Sequence, residues 1–129
     1  MAQHVHKFTP GAAITLTAEA AVTAGRLVMV SGDNEVSPAA ANSSAWLGAA
    51  ATDAAIGEKV LILRGGVQKL EASGAIAAGA LVVAATAGKV SALAAVTTPT
   101  AADVTNTRAI VGVALTGGTN VPVLVALDR

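Results

Sequence analysis

A chain that repeats itself without a gap describes the same local structure twice. Here the stretch VTAGRLVMVSGDNEVSPA, Val22 to Ala39, returns from Ile76 as IAAGALVVAATAGKVSALA. Ala24-Gly25 falls on Ala78-Gly79, Leu27-Val28 on Leu81-Val82, and Val36-Ser37 on Val90-Ser91. Farther on, WLGAAAT (Trp46 to Thr52) is matched by RAIVGVALT (Arg108 to Thr116) through a shared apolar-Gly-apolar core, and KVLIL (Lys59 to Leu63) by VPVLVAL at the end of the chain. Internal repetition records how a fold is built, so it is read before any motif. The pseudo-repeats cover about residues 22–72 and 76–127.

Each half reads strand, tight turn, strand, loop, strand, turn, strand. Before the first repeat, AITLTA alternates Ile14 and Leu16 on one face with Thr15 and Thr17 on the other, the period of a half-buried strand. Arg26 to Ser31 is the next strand. Gly32-Asp33-Asn34 supplies residues that tolerate the positive φ of a hairpin turn, and Val36-Ser37 starts the return. KVLIL reads as a strand buried on both faces; in VQKLEA, Val67, Lys69 and Glu71 share one face. Alanine is the best helix former, yet helical periodicity is weak and glycine recurs every few residues. One short helical turn near Thr100 to Val104 is expected. The halves are expected to pack by a pseudo-twofold into one barrel or sandwich. The fold class is therefore all-β: a small β-barrel or β-sandwich of two pseudo-repeated halves. An extended N-terminal arm over 1–11 precedes a single β domain, 12–129.

Composition narrows the function. Phe8 and Trp46 are the only aromatic residues among 129, so the core is made of small and β-branched side chains that suit close-packed sheets. A mean hydropathy of +0.66 suggests apolar surface buried against other chains. Eight basic and eight acidic residues are spread singly, with no basic patch for direct nucleic-acid binding. With no cysteine, disulfide and thiolate chemistry are excluded. The start, MAQHVHKFTPG, lacks the apolar run of a secretory signal, and no apolar stretch reaches membrane-spanning length. A soluble protein made in a cytoplasm is expected.

The residues that could carry chemistry do not converge. His4 and His6 alternate on the arm without a nearby carboxylate or cysteine, which suits an interface arm better than a metal site. Ser31 and Ser37 have no base outside that arm. Asp33, Glu35, Asp53 and Glu58 fit no calcium loop and read as turn or solvated residues. TAGKV lacks the first glycine and the final Ser/Thr of a phosphate-binding loop. Lys89 follows Ala87-Gly88 at a hairpin tip, the place of the modified lysine in lipoyl and biotinyl carrier domains, but without their flanking residues. No catalytic, cofactor or metal site is expected. Trp46 reads as a core or oligomer anchor. His4, Val5, His6 and Phe8 could form an extended strand that adds to a partner's sheet edge, with Phe8 in a pocket.

The order of VTAGRLVMV (Val22 to Val30), EVSPA (Glu35 to Ala39), GAA (Gly48 to Ala50) and GEKVLIL (Gly57 to Leu63) resembles the small capsid cement, or head decoration, proteins of tailed bacteriophages. A second A-G-x-L-V at Ala78 to Val82 and a G-V-A at Gly112 to Ala114 extend the likeness over nearly the whole chain from about Gly11. The resemblance implies a structural, non-enzymatic virion protein without cofactor. It would be made in the bacterial host cytoplasm and would decorate and stabilise the outer capsid surface. Its partners would be the major capsid protein and itself, as a homotrimer, with neither nucleic acid nor membrane. The segment from Val96 to Thr107 is longer and richer in threonine than the resemblance leads one to expect. Two alternatives remain: a head-tail joining or tail-tube subunit, and a lipoyl- or biotinyl-like carrier domain.

Overall fold

Strands dominate the computed structural model, which describes residues 12–129. In the first half β1 (Ile14–Ala18), β2 (Leu27–Gly32), β3 (Glu35–Pro38), β4 (Trp46–Ala50) and β5 (Lys59–Leu63) close into a barrel in the order β1-β3-β2-β4-β5. The second half contains β6 (Val67–Glu71), β7 (Ala75–Ile76), β8 (Leu81–Ala84), β9 (Val90–Ala92), β10 (Ile110–Ala114), β11 (Gly118–Thr119) and β12 (Pro122–Leu127). Five of these form a sheet in the order β6-β12-β10-β8-β9, and β7 pairs with β11. The all-β fold with a barrel is as expected from the sequence. The barrel, however, lies within one half.

The repeat holds at the level of single ladder pairs. Leu27↔Ala49 and Val28↔Gly48 in the barrel become Leu81↔Val113 and Val82↔Gly112 in the sheet. Leu16↔Val60 and Ile14↔Ile62 become Leu70↔Val123 and Gln68↔Val125. The isolated bridge Val22↔Ala54 returns as Ile76↔Gly118. Thus β6 pairs with β12 as β1 pairs with β5, and VQKLEA opens the second sheet. Closure differs between the halves. Parallel pairs Thr17↔Glu35 and Ala18↔Val36 seal the barrel, whereas the second sheet is drawn round by the single parallel bridge Ala72↔Val90.

Alternation turns one face of every strand inward. The barrel interior is Ala18, Val22, Val28, Val36, Ala50, Ala54, Val60 and Ile62, and fully burying each Val or Ile is worth about 1.5–3 kcal/mol. Their repeats Ala72, Ile76, Val82, Val90, Ala114, Val123 and Val125 belong to the second cluster. KVLIL, expected to be buried on both faces, has one face in water: Val60 and Ile62 are fully buried while Leu61 is 40% exposed. A small barrel has one interior, so four consecutive apolar residues on its wall cannot all reach it. On the outside, Lys59 Nζ donates to Thr17 Oγ1 at 2.7 Å, tying β5 to β1.

The halves meet through unlike faces, so the expected pseudo-twofold does not form. Leu27, Ala39, Trp46 and Ala49, on the outer wall of the barrel, join the core cluster of the second half. A twofold would bury their repeats as well. Instead Leu81, the counterpart of Leu27, is 44% exposed. The turn Thr86–Gly88 docks beside β2: Gly88 N donates to Ala39 O at 2.9 Å and Arg26 Nη1 to Ala87 O at 2.9 Å. A Cβ on Gly88 would lie 2.6 Å from Leu27 O, so only glycine permits this approach.

The extra residues of the second repeat form the helix α1 (Ala101–Asn106), which ends two residues beyond the Thr100 to Val104 expectation. A reciprocal capping box starts it: Asp103 N donates to Thr100 Oγ1, and Thr100 N donates to Asp103 Oδ2 at 2.7 Å. No residue of α1 is buried, so it sits over the sheet as a cover and adds nothing to the core.

Candidate functional site

The arm residues His4, Val5, His6 and Phe8 lie outside the described residues. Trp46 is 1% exposed within a single chain and belongs to the cluster that joins the halves. The Arg129 guanidinium lies 4.2 Å from its ring centroid and donates to Trp46 O at 3.0 Å and Ser44 O at 3.2 Å. Gly65 N donates to Arg129 O at 2.9 Å. The segment after β12 is thereby strapped across the barrel's outer wall. Sequence reasoning missed Arg129. A cation and an aromatic ring so far apart in the chain give no local signal of their pairing.

The acidic residues serve turns. Asp53 Oδ1 accepts from Ala24 N at 2.7 Å and Glu58 Oε1 from Ala55 N at 3.2 Å, each satisfying a backbone donor of a loop. Among the described residues no three His, Cys, Asp or Glu side chains gather to hold a metal ion. Lys89, read as a hairpin-tip lysine, is half-buried behind Gly88, and its turn is occupied by the docking against β2. Among the described residues no helix is long and apolar enough to cross a membrane.

Two surface features remain. Between α1 and the outer side of β8 and β9 lies a cavity of ≈ 230 Å³, lined by Val83, Leu93 and Val96 together with Asn42, Asn106 and Thr107. It is smaller than the roughly 300–1,000 Å³ of ordinary small-molecule sites. Beside it, the outer face of β8, β10, β12 and β6 carries a row of side chains set by the ladder: Leu81↔Val113, Val113↔Ala126, Ala126↔Val67. Leu115 N donates to Leu124 O at 2.7 Å, placing these two leucines side by side in the next row. Leu81, Val67, Leu115 and Leu124 are 44%, 51%, 50% and 38% exposed. A largely aliphatic sheet face on a two-part β body is suited to holding surfaces together.

Comparison with known proteins agrees with that reading. No curated protein matches the chain. Among solved structures, the crystal structure of the head fiber gp8.5 N base of bacteriophage phi29 superposes with a TM-score of 0.66 at 21% identity. The match covers 92% of this chain and 94% of that one; at such identity it is a likeness of fold. The family model described as phage cement protein matches residues 8–127, almost the whole chain. The chain belongs to the phage cement protein family and is a structural protein associated with the phage capsid.

Proposed function

We propose that the protein adds to the outer surface of an assembled tailed-phage head as a homotrimer and braces the shell through non-covalent contacts, without catalysis. The family match over residues 8–127 carries this reading. The physical build supports it. Leu27, Ala39, Trp46 and Ala49 of the barrel's outer wall are packed into the core of the second half, so the two β modules join through buried side chains. A tail-tube subunit would need a long hairpin for ring stacking, whereas β2 and β3 span six and four residues. In this reading residues 2–10 form the capsid-contacting arm, with Val5 and Phe8 as its apolar groups between His4, His6 and Lys7.

The test is addition of purified protein to heads assembled without it. Co-sedimentation should saturate at a fixed stoichiometry, and decorated heads should survive heating or low salt that opens bare heads. Saturable binding without any gain in resistance would leave decoration standing and remove bracing. Failure to co-sediment would overturn the proposal.

A further inference from the structure

Within one chain the same outer face occurs twice, and only one copy is covered. Leu27 and Ala49 are 0% and 3% exposed because the second half packs on them. Their repeats Leu81 and Val113 sit in the same ladder position on the second sheet, with Leu81 open to water and Val113 half-buried. From the self-association proposed above, and resting on it, we propose that this face, centred on Leu81, Val113, Leu115 and Leu124, is the surface on which a second copy of this chain packs.

Four observations favour a copy over any other occupant. The fold already buries the other copy of this face, around Leu27 and Ala49, against a β module of its own kind. The face is aliphatic along β8, β10 and β12 and at Val67 of β6, with Lys69 beside Leu124, and contiguous exposed apolar side chains of this kind mark interaction surfaces. Its charge suits a head-to-tail contact. Residues 12–64 hold five acidic against three basic side chains, net −2, and residues 65–129 three against four, net +1. The open face belongs to the positive half and would meet the negative half of the next copy; a head-to-tail contact closes into a ring where the rotation between copies completes a full turn. Side-chain size also fits a more distant partner than the intrachain one. Gly88 lets the second half approach Leu27 closely, but its counterpart in the first half is Asn34, which carries a Cβ. Val113 and Leu115 also reach farther out than Ala49 and Ala51, which stand at the same positions in the first half.

The full-length protein and a Leu81→Glu/Leu124→Glu variant should be compared by sedimentation, with Ile56→Glu, 73% exposed on the other half, as control. The wild type and the control should sediment as one oligomer and the double variant as a monomer, with unchanged circular dichroism. Head binding is measured in parallel by co-sedimentation. A double variant that keeps the wild-type mass overturns the assignment of this face. If it keeps that mass yet no longer binds heads, the face meets capsid protein instead. A wild type monomeric both free and on heads overturns self-association itself, while saturable head binding by that monomer would leave decoration intact.

Discussion

Gly48 and Gly112 occupy the same place in the two repeats, and each is fixed by a carbonyl oxygen. A Cβ on Gly48 would overlap Leu63 O, and one on Gly112 would overlap Ala126 O. Neither can be relieved by a rotamer change, because the obstacle is backbone. Gly112→Ala should therefore cost ~2–3 kcal/mol or more, seen as a fall in the denaturation midpoint. Ala114→Gly on the same strand should cost only about 1 kcal/mol, the loss of one small buried side chain and some backbone order. Trp46 gives a second handle, since it is the sole tryptophan. Its burial inside one chain means that emission should already be blue-shifted in monomeric protein, and unchanged when copies associate. Arg129→Ala removes a ring contact and two hydrogen bonds to main-chain carbonyls. Because Arg129 is exposed, a loss of only ~1–2 kcal/mol is expected, read by urea denaturation.

At the scale of elements, the two halves differ where they serve different ends. In the barrel, Thr17 N donates to Asn34 O at 3.2 Å and Glu19 N to Val36 O at 2.8 Å across the closing seam. In the second sheet Ser73 N donates to Val90 O at 2.7 Å, the repeat of the Glu19 bond. The turn that would continue the seam is instead docked on β2. Amide exchange by mass spectrometry should show the β6–β9 seam opening before the β1–β3 seam, since fewer bonds hold it. The helix α1 is a further difference. It shields Val83, 5% exposed, yet contributes no buried residue of its own. Thr100→Ala removes its cap, worth about 1 kcal/mol to the helix. Proteolysis within 94–109 should accelerate, while the midpoint of global unfolding stays nearly constant.

The whole molecule is two copies of one module joined by an asymmetric contact. That asymmetry produces function in the proposed reading, because any head-to-tail arrangement leaves one face used and one open. The arm is the other outlet. Deleting Met1 to Thr9 should leave the circular dichroism of the β body unchanged, since β1 begins at Ile14, and weaken co-sedimentation with bare heads. Equal affinity of the truncated protein would move the capsid contact to the β body.

Much of this was legible in the residues. Alternation in AITLTA, the glycine-asparagine turn at Gly32 to Asn34 and the unbroken repeat all report backbone geometry, which short-range sterics control; Asn34 indeed has φ 57°. Asp53 and Glu58, read as turn residues, each accept a backbone N–H of a loop. What the sequence could not tell is which of two like faces would be covered. Leu27 stands in AGRLV and Leu81 in AGALV, at the same register on equivalent strands, yet one is fully buried and the other 44% exposed. Period two assigns each side chain to a face of its strand. Whether that face meets protein or water depends on contacts between residues far apart in the chain: Gly88 against Leu27, and Arg129 across Trp46. Those pairings exist only once the second half has docked, and so the open face, like the covered one, was decided by tertiary packing.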